Sequence, residues 1–149
     1  MEITIRTLEK NDYKELTILL EELGYPSTEE EIAERYDKLA NLPDYASLVA
    51  VANGSVVGFS GICRMHYFEQ NGTYARILAF VISSTVRKQG IGTILLEASE
   101  KWALKNGCSG ITLNSGNRPE RQAAHSFYKA NRYLAKSTGF FKSFSQAPI

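Results

Sequence analysis

The amino-acid sequence predicts an α/β domain, and three observations carry that prediction. Leu16, Leu19, Leu20 and Leu23 recur at helical spacing. Two Asn-Gly pairs, Asn53-Gly54 and Asn71-Gly72, separate runs rich in apolar and β-branched residues, as hairpin turns do. Beyond Ser83 the apolar period changes from strand-like to helix-like at Gly90-Ile91-Gly92.

Each element has a local reason. Ile3 to Leu8 alternates apolar and polar side chains, the pattern of a half-buried strand. Asn11 and Asp12 are placed to cap a helix running to about Glu22, and Gly24-Tyr25-Pro26 stops it. Ser27 and Thr28 precede Glu30 and Glu31 at capping-box spacing, which predicts a second helix over about 28–40. Tyr45 to Ala52, Ser55 to about Tyr67, and Tyr74 to Ser83 read as three antiparallel strands joined at the Asn-Gly pairs. The next helix runs to about Asn106 with Ile91, Leu95, Ala98 and Trp102 along one face, and Asn106-Gly107 ends it. A short strand is expected over 110–114, and Pro119 suits the first turn of a helix reaching about Asn131. Tyr133 to Ala135 and Phe140 to Phe144 are expected to close the domain as two strands, giving the order βααβββαβαββ.

Composition narrows the function. The chain has 149 residues and no Pro/Gly/Ser-rich linker, so residues 1–149 are expected to form one domain. Lys plus Arg is 17 against 16 Asp plus Glu, a net charge of +1 that argues against a chain-wide nucleic-acid footprint. Cys63 and Cys108 lack ligand-like spacing and His66 has no HExxH-type partner, so neither a disulfide framework nor a metal site is expected. The start lacks a basic region followed by an apolar stretch, and no run nears the roughly 18 apolar residues of a membrane span. A cytoplasmic protein is the expectation. Six glutamates between Glu21 and Glu34 read as helix capping and a solvated face.

Two segments carry chemistry. In Arg87-Lys88-Gln89-Gly90-Ile91-Gly92-Thr93, glycines open a helix directly after an apolar strand. Helix-start amides lack internal partners and favour anions, and residues without Cβ let a phosphate approach the main chain. Arg87 and Lys88 add positive charge, although the same spacing also describes an ordinary glycine turn with solvated basic residues. A dinucleotide fingerprint needs glycine where Leu95 stands, and no Walker loop is present. The second segment is Arg121-Gln122-Ala123-Ala124-His125-Ser126-Phe127-Tyr128. Ala124 and Tyr128 share a helix face where the small residue leaves room beside a phenol, yet Phe127 and Tyr128 also suit a core.

Together these pieces resemble the GNAT superfamily of acetyl-CoA-dependent N-acetyltransferases. The residues that carry the resemblance are the Ala79-Phe80-Val81-Ile82-Ser83 strand, Arg87-x-x-Gly90-x-Gly92 opening a helix, Arg121-x-x-Ala124-His125-x-Phe127-Tyr128, and Phe141-Lys142-Ser143-Phe144. The match is detailed over roughly residues 74–144, and the element order extends it to nearly the whole chain. The resemblance implies a mixed, mostly antiparallel twisted sheet flanked by helices, with two parallel central strands splaying apart where they end near Ser83 and Asn114. It implies pantetheine in that gap along Phe80, Val81 and Ile82, and a diphosphate on the amides of Lys88, Gln89, Gly90, Ile91, Gly92 and Thr93 beside Arg87. Arg121 joins these cofactor contacts, Tyr128 takes the general-acid position, and an N–H near Val81 or Ile82 supports the oxyanion.

By the same resemblance, a neutral amine attacks the thioester directly, without an acyl-enzyme. The expected acceptor is a primary amine of a small molecule, with a protein N-terminus or lysine as the rival. A CoA-binding regulatory module without transfer activity is the reading from another class. Family habit adds a homodimer. Acceptor choice is expected to depend on the first two helices with Gly24-Tyr25-Pro26 and on the loop from Lys136 to Gly139. Two departures stand out: Arg121 replaces a common Asn, and Arg132-Tyr133 replaces Gly-Phe. Glycine would serve a left-handed helix stop, so Arg132 either carries roughly 1 kcal/mol of conformational cost or ends the helix differently. No acidic residue matches a family general base; Glu69, His66 and His125 are the candidates.

Overall fold

The first Asn-Gly pair makes a two-residue hairpin turn as expected, whereas the second ends the longer connection 67–72, in which Gly72 but not Asn71 has positive φ. β2 (Tyr45–Ala52), β3 (Ser55–His66) and β4 (Thr73–Ile82) form an antiparallel meander. Asn53 and Gly54 adopt φ of 52° and 77°, the left-handed pair that a two-residue hairpin turn requires. β1 (Ile3–Thr7) adds antiparallel to β2, and β5 (Cys108–Leu113) adds parallel to β4, completing a sheet of order β1-β2-β3-β4-β5. This computed structural model describes residues 2–117 and 119–145. They fall into two compact units, one ending at Leu113 and the other beginning at Asn114.

In the first unit, helices cover both faces of the sheet. α1 (Tyr13–Leu23) and α2 (Glu29–Leu39) bury Leu16, Leu19, Leu20, Ile32 and Tyr36 against Val49, Val56, Phe59 and Val81. α3 (Ile91–Lys105) buries Ile91 and Leu95 against Ala50, Ala52 and Val57 on the opposite face. Each such side chain removed from water stabilises the fold by roughly 1.5–3 kcal/mol. Ser60 and Ser99, both fully buried, satisfy each other at 2.8 Å and fix α3 to β3. Tyr13 Oη donates to Asp37 Oδ1 at 2.8 Å, joining α1 to α2; burial and that carboxylate push the phenol up to about 12.

The caps divide. Thr28 Oγ accepts from the Glu31 N–H at 3.1 Å while Glu31 Oε1 accepts from the Thr28 N–H at 2.9 Å, the reciprocal box expected at the start of α2. Asp12 does not cap α1 with its side chain. Its carboxylate instead accepts from Arg6 at 2.7 and 2.9 Å and from the Glu9 N–H at 2.8 Å. A paired guanidinium offers stronger, charge-assisted bonds than a single helix amide.

The second unit contains one turn of 3-10 helix (Pro119–Arg121) followed by α4 (Gln122–Ala130). The helix ends in a Schellman arrangement: the Tyr133 N–H reaches the Tyr128 carbonyl at 3.0 Å and the Arg132 N–H reaches that of Lys129 at 3.0 Å. Arg132 takes φ of 70°, so the helix stops as glycine would stop it, with the strain retained. The two closing strands expected over 133–135 and 140–144 do not form among the described residues. Leu134, Phe140 and Phe144 are 78%, 95% and 96% exposed, so the apolar alternation there buries nothing. Aromatic residues favour a strand only where a neighbouring strand and a core receive them.

Candidate active site

β4 outruns β5. The parallel ladder starts at Thr73↔Cys108 and ends at Ile77↔Leu113, whereas β4 continues to Ile82 alongside β3. A register shift opposite Gly61/Ile62 sets Leu78 out of the β3 pairing, so the strand irregularity and the end of the β5 ladder coincide. Pairing with β5 therefore ends at Ile77, while β4 runs on to Ile82. The Ser83 N–H donates to the Val57 carbonyl at 2.8 Å, and hydrogen-bonded pairs alternate along an antiparallel ladder. Val81 thus turns its main-chain groups to Phe59, while those of Phe80 and Ile82 turn to the other edge of β4, where the Ile82 carbonyl accepts from Arg87 Nε. The side chains follow the opposite logic of faces. Val81 packs under α1 and α2, and Phe80 and Ile82 pack on the α3 face. Gly58 makes room there, since a Cβ would lie 2.9 Å from Ile82 Cδ1 and 3.2 Å from Leu95 Cδ2.

The segment after β4 passes through one turn of 3-10 helix, Ser84–Val86, before α3 begins at Ile91. Lys88 has φ of 65° and Gly90, the residue before the helix, has φ of 81°. Gly90 has no side chain with which to cap the helix, and the first internal bond is from the Ile94 N–H to the Gly90 carbonyl at 3.2 Å. The amides of Ile91, Gly92 and Thr93 lie ahead of the intrahelical ladder, at its electropositive end. Lys88, Gln89 and Gly90 are exposed, and Gly92 and Thr93 are half-buried. This arrangement suits an anion held by main-chain donors.

Arg87 is engaged within the protein. Its Nε donates to the Ile82 carbonyl at 3.2 Å, and Nη2 lies 3.8 Å from Glu22 Oε2. Glu22 also accepts from the Ser84 N–H at 3.0 Å and from the Ser84 hydroxyl at 2.7 Å. The sequence reading placed Glu22 among solvated helix-face carboxylates. Its hydrogen-bond partner Ser84 lies 62 residues away, beyond the reach of any local pattern.

In the second unit, Arg121 precedes α4 and Tyr128 lies within it, 8% exposed, with ring contacts to Phe127 at 5.4 Å and Tyr133 at 6.0 Å. Burial pushes the Tyr128 phenol up, partly opposed by the positive charge of Arg121. His125 Nε2 lies 2.8 Å from the Gly116 carbonyl; a carbonyl only accepts, so that nitrogen carries the hydrogen. His66 ends β3 and Glu69 follows it in the β3–β4 turn, both exposed. Cys63 and Cys108 are buried, and burial pushes the Cys63 thiol up, away from nucleophilic use. Among the described residues no group of three His, Cys, Asp or Glu is placed to hold a metal ion, and no helix is long and apolar enough to cross a membrane.

Comparison with known proteins gives this geometry a family. The model of the Acetyltransferase (GNAT) family matches residues 13–132. The structure of a GNAT family acetyltransferase from Staphylococcus aureus superposes with a TM-score of 0.84 at 37% identity, covering 97% of this chain and 100% of that one. A transcriptional regulator from Bacillus halodurans shares the fold with a TM-score of 0.87 at 21% identity, covering 96% and 100%. Among curated proteins, an aminoglycoside N(6')-acetyltransferase type 1 from Klebsiella aerogenes is 34% identical over 67 residues, 43% of this chain and 44% of that relative. The matched stretch spans less than half of that enzyme. With the family model covering both the end of β4 and the segment into α3, the chain belongs to the GNAT family of acetyltransferases.

Proposed function

We propose that this chain transfers the acetyl group of acetyl-CoA to a primary amine of a small molecule. The observation that carries the reading is the continuation of β4 from Leu78 to Ile82 beyond the last β5 pair, followed at once by an α3 start without a side-chain cap. A strand side without its neighbour receives an amide-bearing arm, and helix-start amides receive a diphosphate; acetyl-CoA has both in that order. The left-handed Gly90 and the short helix-start residues fit such a group. The partial likeness to an aminoglycoside acetyltransferase supports a small-molecule amine as acceptor.

Bound acetyl-CoA supplies an acyl group already activated as a thioester. The chain's own residues do the rest. The Ile82 N–H, on the edge of β4 turned away from β3, polarises the carbonyl oxygen. An alkyl amine with pKa about 10.4 costs about 4.6 kcal/mol to deprotonate at pH 7, which desolvation and a water relay at the splay must offset. His125 Nε2 takes no part in that, because its hydrogen is committed to Gly116. Tyr128, held protonated by burial, donates to the departing thiolate.

An acceptor screen tests the reading: aminoglycosides, polyamines and peptides are offered with acetyl-CoA, free thiol is read, and products are confirmed by mass. Acetylated small amines are expected. Modification of peptides alone would move the acceptor class to proteins, and CoA binding without thiol release across the panel would leave a regulatory module.

A further inference from the structure

The turn that presents the α3 amides is held from outside by one carboxylate. Glu22 stands at the C-terminal end of α1, where Oε2 accepts from the Ser84 N–H at 3.0 Å and Oε1 accepts from the Ser84 hydroxyl at 2.7 Å. Arg87 closes the other end of the same segment, donating through Nε to the Ile82 carbonyl at 3.2 Å, with Nη2 3.8 Å from Glu22 Oε2. Everything between the last residue of β4 and the left-handed Lys88 is thereby tied down at Ser84 and at Arg87. α1 itself does not need this contact, because Leu16, Leu19 and Leu20 supply its buried face.

We propose that Glu22 is a positioning residue for the donor: it fixes Ser84–Arg87 and so aims the amides of Ile91, Gly92 and Thr93 at the donor's diphosphate. The inference rests on the proposed acetyl-CoA reading and assigns the site a support that lies on a different element. Two physical effects compete. Acting through its field alone, a carboxylate near an anion site repels the diphosphate, so removing it would tighten binding. Acting through geometry, its loss frees the turn and weakens binding. The Glu22–Arg87 pair is long and its arginine side chain is 55% exposed, so screening leaves it little weight. The bonds to Ser84 are short and charge-assisted, so geometry wins.

Calorimetric titration with CoA and with pantetheine, the same arm without its diphosphate and nucleotide, tests this. Glu22→Ala is expected to weaken CoA about tenfold while leaving pantetheine and the ligand-free melting temperature unchanged. Glu22→Gln keeps an oxygen that accepts from the Ser84 N–H and is expected to recover most of the loss. Ser84→Ala, which removes only the hydroxyl bond, is expected to weaken CoA by about two- to threefold, and it carries the test should Glu22→Ala fold poorly. Unchanged or tighter CoA binding in Glu22→Ala and Ser84→Ala, or an equal loss for both ligands, overturns the positioning role alone. Wild-type protein that binds CoA no more tightly than pantetheine overturns the diphosphate reading, and this inference with it.

Discussion

Asp12 is 4% exposed, and its carboxylate carries two bonds from Arg6 and one from a backbone amide. The Arg6 hydrogen bonds, with the Glu9 N–H, hold its pKa below the ordinary carboxylate value against the opposing effect of burial. A folded-state pKa below the unfolded one contributes stability that is complete above about pH 4 and fades as pH falls through the folded value. Asp12→Asn is therefore expected to cost about 2 kcal/mol at pH 7 and to flatten the acid-side decline. Urea midpoints at pH 7 and pH 3 read both effects, and an equal acid-side decline in wild type and variant would move the linkage to other carboxylates. Tyr128 shifts the other way. Its raised pKa keeps the phenol protonated across neutral pH, so the loss of kcat that comes from Tyr128 is expected on the alkaline side, above the ordinary tyrosine value near 10, while deprotonation of the amine sets the acid side. Tyr128→Phe is expected to lower kcat by about 10²–10⁴ and leave CoA affinity intact; a kcat that stays at wild-type level across the pH range removes Tyr128 from the acid role. At this scale the family resemblance left Arg132, standing where glycine is common, either a strained left-handed stop or a different helix end, and the structure has the first. Glu22 was not readable, because its role comes entirely from partners on another element.

Elements were legible where their cause is local. The Asn53-Gly54 turn, the Thr28/Glu31 box and the leucine stripe of α1 all depend on neighbours within a few residues, and all stand where expected. The closing strands over 133–144 failed because pairing, not composition, makes a strand. The length of the β4–β5 ladder was hidden for the same reason, since Ile77 looks no different in sequence from Ile82. The α3 start invites a test in which stability and binding move apart. Gly92→Asp places a negative charge in the first turn, which favours the helix dipole but opposes a bound anion. CoA affinity is expected to fall at least tenfold in calorimetry without loss of melting temperature. Wild-type affinity in the variant would contradict an anion at those amides.

On the scale of the whole molecule, protection against solvent is uneven. Leu16, Val49, Phe59, Ile91 and Leu95 lie in two buried layers either side of the sheet, whereas 134–145 carries no ladder and exposes Phe140, Phe141 and Phe144. Native-state hydrogen exchange is expected to label 134–145 first and the amides of β3 and β4 last. Slow exchange in the C-terminal peptides would mean that these aromatics find a strand partner in solution. Fold class was legible at this scale because two faces of one sheet need two sets of apolar stripes, and both were written in the sequence. The strand that outlasts its neighbour has a wider consequence. What it offers a guest is peptide, and peptide is spelled alike by every side chain. The strand's side chains answer to the two layers they pack in and not to a guest, so under the proposed reading selectivity for the incoming nitrogen is left to whatever surrounds the far end.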